Sequence, residues 1–269
     1  MARIGFNAGS VTMIRAPQGD IVYWQKWYGF DKNAIVECLN DLKEPSGNPP
    51  YEPQFVWDIS TMYLRLTLRS YSRGDAIPEL VQHFDGLLDA WELSNRLAAE
   101  ICREHQLDSC RDWTFELSNL NHYNWCFWLV GLALALDLAE PQWQRLLALI
   151  GGEGEDILFD RIIASREPER AIGKTLLHPK PYARLLAAID APTEQQPSLL
   201  LDFVDHWYPE LYRKGRDELW WYLSGDLLKN PLKGGLYFGF WCIETVAAVK
   251  AFGLDDGLCL GHDHYPGDL

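Results

Sequence analysis

The sequence predicts an all-α protein, a multi-helix array of about eight to ten helices. From residue 30 onward, apolar residues recur every three or four positions, and the alternating runs typical of strands are few. Proline and glycine stand between these periodic segments, and the connections are short. The longest apolar run, residues 125–136, is too short to span a bilayer, which takes about 20 residues. We therefore expect this run to form a buried core helix.

The N-terminal region is ambiguous. Two β-prone stretches, residues 11–14 and 21–24, flank a turn-forming segment at 16–20 and indicate a small hairpin. Alternatively, the second stretch begins a helix that runs toward Leu42, and the periodicity does not decide between the two.

Further helices are predicted from periodicity and from their start and stop residues. Gly74 separates the first two of them, and Asp75 is a plausible N-cap for the second. In the first half the helices fall at about 53–70, 75–104, 113–138 and from Pro141 to Gly151. In the second half they fall near 155–165, 168–177, 181–190, 199–207 (stopping before Pro209) and 236–252.

The glycine-rich acidic stretch at 151–156 is the best candidate boundary, because it separates two apolar blocks. It divides the chain into an N-terminal helical half, 1–150, and a C-terminal helical half, 151–269. Residues 1–30 are a candidate hairpin extension of the first half.

Charge restricts the class of partner. The chain has 38 Asp and Glu against 24 Lys and Arg, a formal net charge of −14. Such a charge repels phosphate backbones, so it argues against direct nucleic-acid binding and favours a basic partner. The alternative is that the acidity only maintains solubility.

The cysteines and the N-terminus indicate the compartment. Six cysteines include no C-x-x-C pair and no zinc-type spacing, so we expect reduced and mostly buried thiols, with no metal or other cofactor. The N-terminus lacks the apolar segment of a secretory signal, and no segment is long enough to cross a membrane. The sequence therefore predicts a cytoplasmic location.

Two features are candidates for chemistry. Glu244 is the only charged residue between Leu236 and Val249, so burial should raise its pKa and make it a candidate acid or base. The structural alternative, which we favour, is a buried carboxylate that hydrogen-bonds neighbouring donors. Residues 262–264, His-Asp-His, resemble part of a metal site, although a turn made by Pro266 and Gly267 is the stronger interpretation. P-loop, Rossmann and serine-hydrolase motifs are absent from the sequence.

Acidic residues concentrate in two places and are the candidate partner-binding residues. The stretch from Ala251 to Leu269 has no Lys or Arg and forms a negative patch that could occupy a cationic cleft. Alternatively, Asp255 and Asp256 only cap local turns. The candidates are Asp255, Asp256, Asp263, Asp268, Glu153, Glu155 and Asp156.

Three motifs near the C-terminus and one in the first half occur in order along the chain. They are Tyr71-Ser72-Arg73-Gly74-Asp75, Tyr237-Phe238-Gly239-Phe240-Trp241 with Glu244, Gly253-Leu254-Asp255-Asp256, and His262-Asp263-His264-Tyr265-Pro266-Gly267-Asp268-Leu269. In this pattern the chain, from about residue 53 to 269, resembles the PoNi family, immunity proteins against PoNe-type nuclease effectors.

The resemblance implies a helical antitoxin, not an enzyme, that blocks the active site of a cognate DNase of restriction-endonuclease-like fold. Such a toxin would be delivered between bacteria by a type VI or related secretion system. The resemblance also implies that the motif residues maintain the fold: Tyr71, Gly74, Asp75, Gly239, Trp241, Glu244, Tyr265 and Pro266. The alternatives are a helical hydrolase using Glu244 with a C-terminal aspartate, and a generic helical adaptor.

Overall fold

A computed structural model describes residues 13–111, 114–225 and 228–269. Within these residues the regular structure consists of nine α-helices and five short 3₁₀ turns, without strands, which confirms the all-α class. The helices are α1 (Ile21–Asp41), α2 (Glu52–Arg73), α3 (Phe84–His105), α4 (Leu120–Ala135), α5 (Glu140–Ile150), α6 (Ile157–Ala164), α7 (Pro179–Asp190), α8 (Gln196–Glu210) and α9 (Ile243–Phe252). None of these helices has both the length and the apolar content that a membrane span requires.

The prediction of an N-terminal hairpin is wrong, and the alternative, a helix that runs toward Leu42, is confirmed. Residues 21–24 form the first turn of α1, whose N-cap Asp20 accepts a hydrogen bond from the Tyr23 backbone N at 2.7 Å. An aspartate in this position satisfies a backbone N–H that the helix itself cannot. Of the first β-prone stretch, residues 11 and 12 lie outside the described residues.

Asp75 does not cap α3. Its carboxylate is held by the Arg73 guanidinium, with Nε at 2.7 Å and Nη2 at 2.6 Å. A 3₁₀ turn, Ile77–His83, comes next, and α3 follows it without a side-chain cap. Asp75 therefore pairs with Arg73 and is separated from α3 by this 3₁₀ turn, so it does not stand at the start of the helix.

Three other helix predictions need correction. The helix predicted at 113–138 begins only with α4, after its N-cap Asn119. The helix predicted to stop before Pro209 is α8, which includes Pro209 in its last turn. The helix predicted at 168–177 is absent. Two backbone N–H groups of that segment instead donate to carboxylates near the start of α6: Gly173 to Asp160 at 3.0 Å and Leu177 to Asp156 at 2.7 Å.

The predicted terminal helix is shortened by an extended segment. Residues 237–242 are buried but not helical, and Gly239 has a φ of +95°, which a helix cannot contain. Because irregular backbone has no ladder of its own, its buried carbonyls need side-chain donors. Tyr23 donates to Tyr237 O at 2.6 Å, and Ser72 donates to Phe238 O at 2.7 Å.

The main core is one apolar cluster that extends from Ala16 to Leu269 and includes residues from both halves of the chain. Helix α4 lies at its centre, with 13 of its 16 residues buried, as expected for the long apolar run. It packs closely on α9, because a Cβ at Gly131 would come within 2.6 Å of Ile243. The division at residues 151–156 remains a prediction.

The expectation that all six cysteines are reduced is wrong for two of them. Cys102 and Cys110 form a disulfide that closes the turn after α3, with Cα atoms 5.7 Å apart. Cys126, Cys242 and Cys259 are buried free thiols, and Cys38 is partly exposed. The spacing of eight residues gave no signal for this pair, because it depends on how the chain turns back after α3.

Gly239 offers a test of the extended segment. A Cβ there would lie 2.2 Å from Trp241 Nε1 and 2.3 Å from Ser72 Oγ, in addition to the strain at positive φ. We expect Gly239→Ala to lower the free energy of unfolding by about 2 to 5 kcal/mol. The matched control is Gly253→Ala, with φ +66° and no atom within 4 Å, for which we expect about 1 to 2 kcal/mol. Equal losses in urea unfolding would contradict this account.

Candidate functional site

Glu244 lies in the first turn of α9 and is fully buried. Its Oε1 atom accepts hydrogen bonds from Asn124 Nδ2 at 2.9 Å, Tyr182 OH at 2.9 Å and Trp207 Nε1 at 3.1 Å. Its Oε2 atom accepts one from Trp128 Nε1 at 3.2 Å. The carboxylate therefore ties α9 to α4, α7 and α8 through four uncharged donors.

The burial of Glu244 argues against the alternative in which it acts as a catalytic residue of a hydrolase. Burial raises its pKa to about 7, against the lowering effect of the surrounding hydrogen bonds. Glycoside cleavage requires a carboxylate pair across an open cleft, whereas Glu244 has no exposed surface. A raised pKa therefore reflects its position in the core and does not indicate a catalytic acid.

The motifs that are far apart in sequence meet in space. Tyr71 donates its hydroxyl hydrogen to Asp268, and Arg15 Nε binds the same carboxylate at 2.6 Å. The Trp241 ring packs edge-on against Tyr71, with centroids 5.1 Å apart, and its Nε1 donates to Ser72 Oγ at 2.8 Å. This cluster fastens the C-terminus and the extended segment to the end of α2, which is a structural role.

Three other motif residues also have structural contacts. Gly74 ends α2 at φ +99°, and a Cβ there would lie 2.4 Å from Met13 O. Tyr265 donates to Asp256, and the buried Pro266 accepts at its carbonyl from Leu269 N at 3.0 Å. Asp256 is thus engaged within the chain and is only partly exposed.

Residues 262–264 form a turn. His262 Nε2 lies 3.3 Å from Asp205 Oδ1, and His264 Nδ1 lies 3.0 Å from Phe240 O. Among the residues that the structure describes, no group of three or more His, Cys, Asp and Glu side chains is placed to hold a metal ion.

The other C-terminal aspartates are exposed in different settings. Asp255 and Asp263 lie at the surface, and Asp255 accepts from Gly257 N at 2.9 Å. Asp268 is half exposed but paired with Arg15. Asp255 therefore both caps a turn and remains exposed. Asp263, which is also exposed, remains a candidate partner-binding residue.

The acids at 153–156 separate into two kinds. Glu153 and Glu155 are exposed, and Glu153 Oε1 accepts from Ala171 N at 2.7 Å. Asp156 is fully buried: it caps α6 and accepts from Tyr123 OH at 3.0 Å and Leu177 N at 2.7 Å. We therefore assign Asp156 a structural role and remove it from the partner-binding candidates.

Sequence reasoning missed three residues that accompany the C-terminal aspartates: Asp205, Leu258 and Leu260. Asp205 of α8 lies beside this turn, because its Oδ1 is 3.3 Å from His262 Nε2. Leu258 and Leu260 are each 57% exposed there. The polar face of α8 was visible in the sequence, but its neighbour in space was not. We call Asp205, Asp255, Leu258, Leu260 and Asp263 the C-terminal surface.

The buried polar residues, including the carboxylates of Glu244 and Asp156, hold the fold, while other acidic residues such as Asp255 and Asp263 lie at the surface, where a partner protein could reach them. Two family models match it: "PoNe immunity protein (PoNi), N-terminal" over residues 15–148, and "PoNe immunity proteins (PoNi), C-terminal" over residues 154–269. The chain belongs to the PoNi family of immunity proteins, as the sequence motifs indicated.

The fold is shared with a solved structure. Protein PA2201 from Pseudomonas aeruginosa superposes with a TM-score of 0.70 at 19% identity, covering 96% of this chain and 90% of that one. At this identity the likeness shows a common fold. No curated protein sequence matches this chain significantly.

The buried carboxylate predicts a pH dependence of stability. Between pH 4.5 and about 7 the folded chain keeps a proton on Glu244 that the unfolded chain has lost, so this contribution to stability falls as the pH rises. Relative to Glu244→Gln, we expect the wild-type free energy of unfolding to fall by about 2 to 3 kcal/mol from about pH 5 to pH 8. Urea unfolding gives the free energy of unfolding of both proteins. The contribution of the histidines to the pH dependence is common to both proteins and cancels in the difference. Parallel pH profiles would refute the raised pKa.

Proposed function

We propose that this chain binds a PoNe-type DNase in the cytoplasm and neutralises it by covering its DNA-binding cleft. Membership of the PoNi family supports immunity to a PoNe toxin. The observation that supports covering of the cleft is the C-terminal surface, where Asp255, Leu258, Leu260 and Asp263, within nine residues of the chain, are all exposed. The chain acts by occupancy, and no bond in a substrate is made or broken.

The surface supports two separable contributions to binding. A nuclease cleft that binds phosphates is cationic, so a negative surface accelerates encounter with it. Charge alone gives mainly a faster association, whereas slow dissociation needs buried apolar anchors. The aspartates supply the first contribution, and Leu258 and Leu260 supply the second.

The proposed setting is competition between bacteria. The nuclease, of restriction-endonuclease-like fold, enters through a type VI or related secretion system, and its gene adjoins the gene for this chain. A producing cell and its kin survive because the immunity protein meets the toxin before it reaches DNA. The net charge of −14 keeps the immunity protein itself away from DNA.

The test uses this adjoining nuclease with purified variants. We expect Asp263→Lys to reduce the association rate by about 10-fold at low salt, with a smaller effect at high salt. We expect Leu258→Ala to increase the dissociation rate instead. The matched control, Glu194→Lys, reverses an exposed acid before the opposite end of α8 and should bind normally. Surface plasmon resonance and DNase inhibition measure these effects.

Two outcomes would contradict the proposal. If the wild-type chain neither binds the nuclease nor protects DNA from it, the immunity function is wrong. If the wild type inhibits but Asp263→Lys, Leu258→Ala and Glu194→Lys all inhibit equally well, the C-terminal surface is not the interface.

A further inference from the structure

A groove of about 970 Å³ opens between α2, the beginning of α4 and the segment 213–220. Its lining combines carboxylates with tryptophan rings, and the residues that matter here are Trp57, Asp58, Glu116, Trp125, Asp217 and Trp220. The groove is separate from the C-terminal surface, although the chain that follows α8 borders it.

Trp125 is one of the lining residues of this groove, and its buried indole N–H is an unsatisfied donor. Its side chain is 4% exposed, and its Nε1 has no hydrogen-bond partner. Other buried tryptophans of the fold do have acceptors: Trp24, Trp128, Trp143, Trp207, Trp221 and Trp241. Because a buried N–H without a partner costs about 1 to 3 kcal/mol, Trp125 points to an acceptor that arrives from outside the chain.

The lining is negative. It includes four carboxylates, of which Glu116 and Asp217 are exposed. Arg213 is the single arginine or lysine among the described lining residues, and its guanidinium donates to the carbonyls of Glu210, Tyr212 and Lys180.

The histidines of the groove do not offset this charge. Burial lowers the pKa of both His122 and His178, which also lie within hydrogen-bond distance of the carbonyls of Glu116 and Leu117. Both are therefore neutral near pH 7, and the lining residues that the structure describes keep a net negative charge.

The wall of the groove is preformed. Asn121 of α4 donates from Nδ2 to Glu218 O at 3.2 Å and accepts at Oδ1 from Trp220 N at 3.0 Å. These two bonds hold the segment 218–220 against α4. The Trp220 ring, 44% exposed and stacked on Phe238, is thereby presented at the edge, where a partner can bury it.

We propose that this groove receives a lysine- or arginine-bearing loop of the nuclease, and that a backbone carbonyl of the loop accepts the Trp125 indole hydrogen. This inference rests on the proposed function and identifies a second contact with the same partner. The cationic side chains of the loop pair with Glu116 and Asp217, and its backbone supplies the acceptor. Nucleic acid is excluded by the carboxylates, which repel phosphate.

The first arm of the test reverses charge at the exposed rim. The titrant is the catalytically inactivated nuclease encoded beside this chain, and the variants are Glu116→Lys and Asp217→Lys. We expect each to weaken binding by about 10-fold or more, whereas Glu194→Lys, the matched exposed acid, leaves the Kd unchanged. Far-UV circular dichroism and urea unfolding should show that all three variants fold normally, because the three side chains are exposed.

The second arm observes the indole directly. Trp125→Phe keeps an aromatic ring in the core but removes the donor together with part of the ring volume, so urea unfolding must first show that the variant folds. Its missing signal assigns the Trp125 indole N–H in an ¹⁵N spectrum. On addition of the nuclease we expect that wild-type signal to move downfield as it gains an acceptor. We expect Trp125→Phe to weaken binding by about 3- to 10-fold.

The outcomes separate the two ideas. If the wild type binds and the groove variants bind equally well, with an unmoved Trp125 signal, the groove proposal is overturned while the immunity function stands. If the wild type does not bind, the proposed function fails and the groove proposal fails with it. Weakened binding by the rim variants and a shifted indole signal together support the groove as a contact.

Discussion

The fold depends on satisfying one carboxylate that has no access to water. Glu244 brings a charge-bearing group into the centre of the protein, and four donors from three other helices converge on it. A buried carboxylate without such partners would be strongly unfavourable. The arrangement therefore specifies how α9 sits against α4, α7 and α8: any other docking would leave a buried charge, or several buried N–H and O–H groups, unpaired.

A second constraint follows from the route that the chain takes to reach α9. The extended segment crosses the core without a helix or sheet to pair its backbone, so side chains must do so. Arg69 is fully buried, binds Asp31 at 2.8 Å and donates to the carbonyls of Gly235 and Tyr237. One guanidinium thus joins α1, α2 and the segment before α9, and its charge is balanced where it lies.

The sequence predicts what depends on local patterns and fails where the determinants are distant. The helices around residues 53–70, 141–151 and 181–190 are predicted closely, because apolar spacing and flanking prolines act locally. The first part of the helix predicted at 236–252 is not helical because Gly239 turns the backbone. The carbonyls of Tyr237 and Phe238 instead bind side chains more than 160 residues away. Asp156 has the charge of a surface acid, and only the fold shows that it is enclosed.

The residues that hold the fold together are different from those proposed to bind the partner. The polar motif residues bind one another: Tyr71 with Asp268, Trp241 with Ser72, and Tyr265 with Asp256. Groups engaged in this way stabilise the framework and are not available to a partner. On the proposed function, recognition depends instead on exposed acids and apolar side chains, and those carried by turns can change without disturbing the core. On the same proposal, the binding surface can change with the toxin while the contacts that hold the fold stay the same.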